Sequence, residues 1–311
     1  MYDYLVLDHL AAPNYSHLTY YWLQERLNLP SSPYSTTIAI GTALQGQPVG
    51  LVLVDYAQDS QTANILSLFV DKKHRRQGIG TELLIQIEEI LKEYGCQQIE
   101  LLYSLNLMTP VLERILARQN WTTGTAYSLR CLTNRENILR VPFLNRYTLP
   151  TKYTIFPWSE LTTQERTKIQ QRANKLDYPD ELYPFREEWN SSLASVGLRY
   201  RDEVIGWNIV TQLTPSFVNF KSRFVKGKFR TIGLGIHLLT ASINRQVLDE
   251  KVTDAMFTAK LDNAEMVRFV HRHMAPYLTS VINYWKASKL IQTSALRDEE
   301  PSHNLPLIIS D

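Results

Sequence analysis

Cysteine is almost absent from the chain. Cys96 and Cys131 are the two it has, with no C-x-x-C spacing and no histidine nearby. So few cysteines exclude a disulfide framework and fit a reducing compartment. Long apolar runs are missing as well. No window reaches the roughly 18 apolar residues of a membrane helix, and "MYDYLVLDHL" at the start lacks the basic and apolar regions of a signal peptide. A soluble, cytoplasmic protein is the expectation. Charge of one sign is lacking too: 33 basic and 31 acidic residues leave a net charge of +2. Nothing therefore draws the whole chain to nucleic acid or to an anionic membrane. Glycine is scarce, 12 in 311 residues. Two of them nevertheless stand two apart in "RRQGIG", Arg75 to Gly80.

The length suits two domains of about 150 residues each, and a hydrophobic content of 44% is enough to fill their cores. Periodicity predicts a strand over Tyr4–Leu10 and a helix over Tyr15–Leu27. Two strands follow around the turn Gln45-Gly46-Gln47, then a further strand over Asn64–Val70. After "RRQGIG" an amphipathic helix carries Leu83, Leu84, Ile87, Ile90, Leu91 and Tyr94 on one stripe and stops at Gly95. "QQIELLYSL" reads as a strand, "PVLERILARQN" as a helix and "TGTAYSLRCL" as a strand. Between 140 and 157 come Pro142, Pro150 and Pro157 without sustained period, which fits a connector and places a boundary near 150. The expected division is 1–145, 151–290 and a polar tail over 291–311.

The chain also repeats itself. "SLFVDKKHRRQGIGTELL" (Ser67–Leu84) lies over "SRFVKGKFRTIGLGIHLL" (Ser222–Leu239) without a gap, at an offset of 155 and with nine of eighteen positions identical. Upstream, "PVGLVLV" (Pro48–Val54) matches "VIGWNIV" (Val204–Val210). A tandem duplication follows.

Each copy sets R-x-x-G-x-G between a strand and an amphipathic helix. The first turn of a helix leaves about four N–H groups without partners and carries partial positive charge. Phosphate oxygens satisfy both, glycines let the backbone come close to a diphosphate, and arginine adds charge and forked donors. Lys72, Lys73, Arg75 and Arg76 in one copy, with Lys221, Arg223, Lys226, Lys228 and Arg230 in the other, make the local potential positive. An anionic, diphosphate-bearing ligand is the expectation; the bland alternative is a glycine-rich turn with a solvated basic face. No Walker loop occurs. The third glycine of a dinucleotide fingerprint is replaced by Leu83 and Leu238.

"ILSLFVDKKHRRQGIGTELL" resembles the acetyl-CoA motif of the GNAT superfamily of N-acetyltransferases. The first copy resembles it over about Thr36 to Leu132, the second over Ser195 to Tyr284 through Arg230, Gly233, Gly235 and "LDNAEMVRFVHRH". The two-domain layout is similar to that of mycothiol synthase. The resemblance implies an α/β (α+β) fold of two tandem domains, each a mixed, mostly antiparallel sheet flanked by helices. It implies an acetyl-CoA-dependent N-acetyltransferase acting on a primary amine of a small molecule or peptide. The strand backbone of Leu68, Phe69 and Val70 would run beside the pantetheine arm. Arg75, Arg76, Gln77, Gly78, Ile79, Gly80 and Thr81 would hold the pyrophosphate, with Asn106 turned toward the cofactor. In the second copy Arg223, Phe224 and Val225, then Arg230, Thr231, Ile232, Gly233, Leu234 and Gly235, and Asn263, take these places.

Catalytic groups are less legible. The glutamate that the family often carries on the strand before the motif is absent, with Ser67 nearest its place. Leu116 and Phe269 stand where the late helix often carries a tyrosine. Tyr103 is the substitute acid, or a tyrosine packed on the sheet. The missing pair leaves a second reading open, a CoA-binding sensor or scaffold without catalysis. His271 and His273 point apart on a helix and read as surface groups rather than metal ligands; Glu88 and Glu89 read as solvent-facing. Glu165, Asp177, Asp180, Glu181, Glu187 and Glu188 border the second core and would favour a cationic acceptor, or form a solvated acidic loop.

Overall fold

The computed structural model describes residues 1–28, 35–145, 148–173, 178–179, 182–185 and 192–291. The tail beyond 291 and five of the six acidic residues just named (Asp177, Asp180, Glu181, Glu187 and Glu188) lie outside these.

The first repeat supplies β1 (Tyr2–Val6), β2 (Thr36–Leu44), β3 (Gln47–Ala57), β4 (Thr62–Val70), α1 (Ile79–Glu93), β5 (Gln98–Ser104), α2 (Thr109–Arg118), β6 (Thr125–Asn134) and α3 (Arg135–Leu139). The second supplies β7 (Tyr153–Pro157), α4 (Thr163–Ala173), β8 (Val196–Tyr200), β9 (Glu203–Thr214), β10 (Phe217–Val225), α5 (Leu234–Val247), β11 (Asp254–Lys260), α6 (Ala264–Phe269) and β12 (Ser280–Leu290). β10 begins and ends 155 residues after β4, and α5 begins 155 after α1. The duplication is therefore structural as well as sequential.

Among the described residues the twelve strands form one sheet in the order β1-β2-β3-β4-β5-β12-β6-β11-β10-β9-β8-β7. β4–β5 and β10–β11 are parallel and the other pairs antiparallel. The mixed, mostly antiparallel character is as expected, but the sheet does not divide at residue 150. The last strand of the second repeat, β12, is inserted between β5 and β6 of the first, and β6 pairs with β11 of the second. Strand pairing thus crosses the boundary expected near 150.

The reason is in the side chains of β12. Ala287 is fully buried and joins the core formed by Ile99, Leu101 and Tyr103 of β5 and Ile79, Leu83, Leu84, Ile87 and Leu91 of α1. Lys289 donates to Glu88 of α1 at 2.8 Å, and Lys286 donates to Glu100 of β5 at 2.6 Å. Glu88 is thus only 8% exposed, a strand anchor rather than the solvent-facing group its mid-helix position implied; Glu89 does face solvent and pairs with Lys92.

Gly50 and Gly206 explain how the long helices come close to the sheet. A Cβ at Gly50 would meet Leu83 Cδ1 at 3.3 Å, and one at Gly206 would meet Leu238 Cδ1 at 3.3 Å. The opposite face is covered by a core of Ala12, Tyr15, Leu18, Leu27, Leu51 and Leu53 in the first half. In the second it is covered by Trp158, Ile169, Tyr178, Phe185 and Trp207. The helix expected over Tyr15–Leu27 is three 3-10 turns, Ala12–Leu18, Tyr21–Leu23 and Glu25–Asn28. The apolar spacing is helical, but Thr19 is extended, at φ −141° and ψ 174°, and leads into Tyr20-Tyr21-Trp22, a run of poor helix formers. The expected connector over 140–157 holds a 3-10 turn at Pro142–Asn145 and, at its end, the edge strand β7, where Pro157 is tolerated.

Placing a charge at Ala287 should cost at least about 3 kcal/mol, because it buries an unpaired carboxylate. For Ala287→Asp, hydrogen exchange should accelerate in β9 as well as β3. Acceleration confined to β3 would show that the two halves open independently.

Candidate functional site

β4 and β5 pair over Thr62–Ile65 and Gln98–Leu101, then separate; β10 and β11 pair over Phe217–Phe220 and Asp254–Phe257, then separate. Beyond these points the edge of Ser67–Val70, and that of Ser222–Val225, faces an opening instead of a strand. The bulges recur too. Leu66 is the extra residue in β4 and Lys221, 155 later, in β10. A cleft of about 2200 Å³ runs past both openings, lined by Ser67, Leu68 and Gly80 at one end, Arg130 and Tyr284 midway, and Arg223 and Gly235 at the other.

Each opening leads to the start of a long helix. Arg75 Nε donates to the Val70 carbonyl at 2.9 Å and Arg230 Nε to the Val225 carbonyl at 3.0 Å. Their guanidinium carbons lie 5.7 Å from the Phe69 ring and 5.9 Å from the Phe224 ring. The first arginine of each motif thus ties the turn to the strand end and keeps its terminal N–H groups for other partners. Gly78 and Gly233 precede the helices at φ +84° and +71°, where side chains are strained. Glu82 makes the first intrahelical bond of α1, to Gly78, so the amides of Gly80 and Thr81 lie ahead of the helical ladder. A Cβ at Gly80 would come no closer than 3.7 Å to any atom, and one at Gly235 no closer than 4.0 Å. The chain itself leaves these places open.

The other residues singled out from the sequence divide. Ile79 and Leu234 are buried and present only backbone, and Arg76, at φ +62°, is exposed. Gln77 accepts from Tyr2 Oη at 2.6 Å. Thr231 and Ile232 lie in the 3-10 turn Gly227–Ile232. Asn106 donates to the Ser104 carbonyl and accepts from Met108 N, and Asn263 accepts from Met266 N at the start of α6, so both amides shape turns. His271 and His273 are exposed on a π-helical turn, Val270–Met274, and among the described residues no group of three or more His, Cys, Asp or Glu could hold a metal.

Tyr103 points with Ile99 and Leu101 into the core and is 7% exposed. Its Oη donates to Glu113 Oε1 at 3.0 Å, and burial together with that carboxylate pushes the phenol up to about 12. Its hydroxyl proton is thus engaged by Glu113, an exposed carboxylate, and Tyr103 also lines the cleft. Sequence reasoning missed Tyr284. It pairs with Ser104 across β12 and β5 and, because side chains alternate, faces the opposite side from Tyr103. Arg130 Nη1 donates to Tyr284 Oη at 2.7 Å, with the guanidinium carbon 4.1 Å from the ring centre. Burial raises this phenol while Arg130 opposes the rise. With Oη accepting from Arg130, its own proton is free to point into the cleft. The separation of 154 residues between the two, and the strand exchange, hid them.

Residues 4–108 match the acetyltransferase (GNAT) family model. No curated protein matches the chain by sequence. A tandem GNAT protein from the clavulanic acid biosynthesis pathway superposes with a TM-score of 0.68 at 15% identity, over 93% of this chain and 98% of that one. The chain has the fold of a tandem GNAT protein. A GCN5-related N-acetyltransferase from Sphaerobacter thermophilus superposes with a TM-score of 0.64 at 12% identity, covering 93% of this chain and 95% of its own. A glucosamine N-acetyltransferase region of a fungal multi-domain β-N-acetylglucosaminidase does so with 0.60 at 12%, over 93% of this chain and 38% of its own.

Of the acidic border expected from the sequence, Glu165 lies among the described residues. That carboxylate is bound by Arg199 at 2.6 Å, which lowers it to about 2, and it does not line the cleft. Folding favours its ionised form, so its contribution is complete above the ordinary value of 4.5 and is lost as pH falls through that value toward 2. Glu165→Gln should therefore cost about 1–3 kcal/mol at pH 7 and much less at pH 3. Urea midpoints at the two pH values measure the difference.

Proposed function

We propose that the chain transfers an acetyl group from acetyl-CoA to the primary amine of a small molecule or peptide, with the cofactor in the first cleft. One observation carries this reading: the parted β4 and β5 expose a strand edge that leads directly to a helix start whose glycine positions are open and whose flank is cationic. An uncharged, amide-bearing arm fits the edge as an added strand, and a diphosphate fits the amides of Gly80 and Thr81 with Arg75 and Arg76 beside them. Bound there, acetyl-CoA would supply an activated acetyl thioester. The named activities of the structural relatives agree with this reaction class.

The chain's own groups divide the remaining work. Tyr284 Oη holds a proton toward the cleft, positioned by Arg130. Asp55 and Glu100, the carboxylates lining the first half of the cleft, are bound by Arg26 at 2.7 Å and Lys286 at 2.6 Å. Neither is a free base, which leaves the proton of the amine to water. The rate should then rise with pH until the acceptor itself is deprotonated.

Acetyl-CoA consumption against a panel of amines, read as free thiol, tests the activity; binding without turnover on any amine would overturn it. Gly80→Val should fold normally and weaken acetyl-CoA at least about tenfold, because its side chain occupies the cradle rather than the core. Tyr284→Phe should lower kcat about 10²-fold with the acetyl-CoA Kd unchanged, whereas Tyr103→Phe should retain the rate.

A further inference from the structure

The strand ends at the two openings of the cleft share Phe69 with Phe224 and Val70 with Val225, but the residue before them differs. Leu68 of β4 is matched by Arg223 of β10. Leu68 packs against the core beneath α1. Arg223 instead crosses the opening. Its Nη2 lies 3.2 Å from Met266 Sδ on α6, its guanidinium carbon 5.7 Å from the Phe269 ring, and its Nε 4.0 Å from the place of a Cβ on Gly235. From β10 it thus reaches Met266 and Phe269 across the gap that opens after the last β10–β11 pair. Arg223 is half-buried there, and desolvation lowers its guanidinium to about 10. Among the described residues no carboxylate lies within salt-bridge distance to draw it elsewhere.

We propose that Arg223 closes the second cleft to acetyl-CoA, so that the chain takes one cofactor rather than two. The inference rests on the proposed cofactor role of the first cleft for its stoichiometry, and on the Arg223 geometry for the closure. Phosphate is attracted to any helix start that carries cations, but the uncharged arm behind the phosphates must lie along Ser222–Val225, where the guanidinium is. Displacing that group would break its contacts with Met266 and Phe269 and bring no charge partner in return, since the arm carries none. In the first cleft Leu68 leaves the equivalent path open. The second repeat would then serve the first. It keeps the cradle backbone because that turn shapes the sheet edge, and it supplies Tyr284 through β12.

Titration calorimetry of the full chain with coenzyme A tests this. One equivalent is expected for the native chain and two for Arg223→Leu, the residue the first repeat carries, with the added site abolished by Gly235→Val. Arg223→Ala, and thermal melts of every variant, guard against misfolding. Two equivalents in the native chain would overturn the proposal, and so would one in both leucine and alanine variants. No binding by the native chain but one equivalent in Arg223→Leu, removed by Gly235→Val, would support the closure and overturn the first-cleft reading. No binding by any of them would overturn both.

Discussion

The insertion of β12 between β5 and β6 is the constraint on which the rest depends. A strand at that place has partners on both sides, so its backbone groups are paired and Ala287 can sit at full burial in the core of the first repeat. Two ion pairs, Lys289 with Glu88 and Lys286 with Glu100, approach it from opposite faces. Both are half-buried or more, where pairing matters more than on an open surface. Without β12 the first sheet would present a long edge beside a hydrophobic helix face, a state prone to association. The exchange joins two copies into one sheet and brings residues far apart in sequence into a single cleft.

The parting of the parallel strands follows from the same arrangement. β4 is held by β3 along its length but by β5 only over Thr62–Ile65. The bulge at Leu66 turns the strand just where pairing ends, and its recurrence at Lys221 marks it as part of the design of both copies. Arg75 and Arg230 then fix the loop by the same hydrogen bond to the strand end. In the proposed reading this is a ligand cradle that would need few side chains, since backbone amides and open glycine positions would do most of the binding.

That economy explains what could be read in advance. Backbone cradles need glycine, a helix start and nearby cations, all local in sequence, so "RRQGIG" and "RTIGLG" were legible with their strand and helix context. Tyr103 was legible as a residue but not as a direction. Alternation turned it toward the core beneath α1, with its hydroxyl donating to Glu113. Glu88 was misread because its partner lies 201 residues away. The helix expected over Tyr15–Leu27 became 3-10 turns because Thr19 and the aromatic run after it resist helical dihedrals.

The amino-acid sequence by itself determined the duplication, most of the strands and helices of the first copy, and the two glycine turns between a strand and a helix, because each depends on spacing over a few residues. Tertiary structure alone decided that the two sheets are one and that Tyr284 and Arg130 meet, because pairing across about 150 residues leaves no local pattern. It also decided the difference between Leu68 and Arg223. In sequence that is one substitution among several; in space it is a side chain lying across an opening.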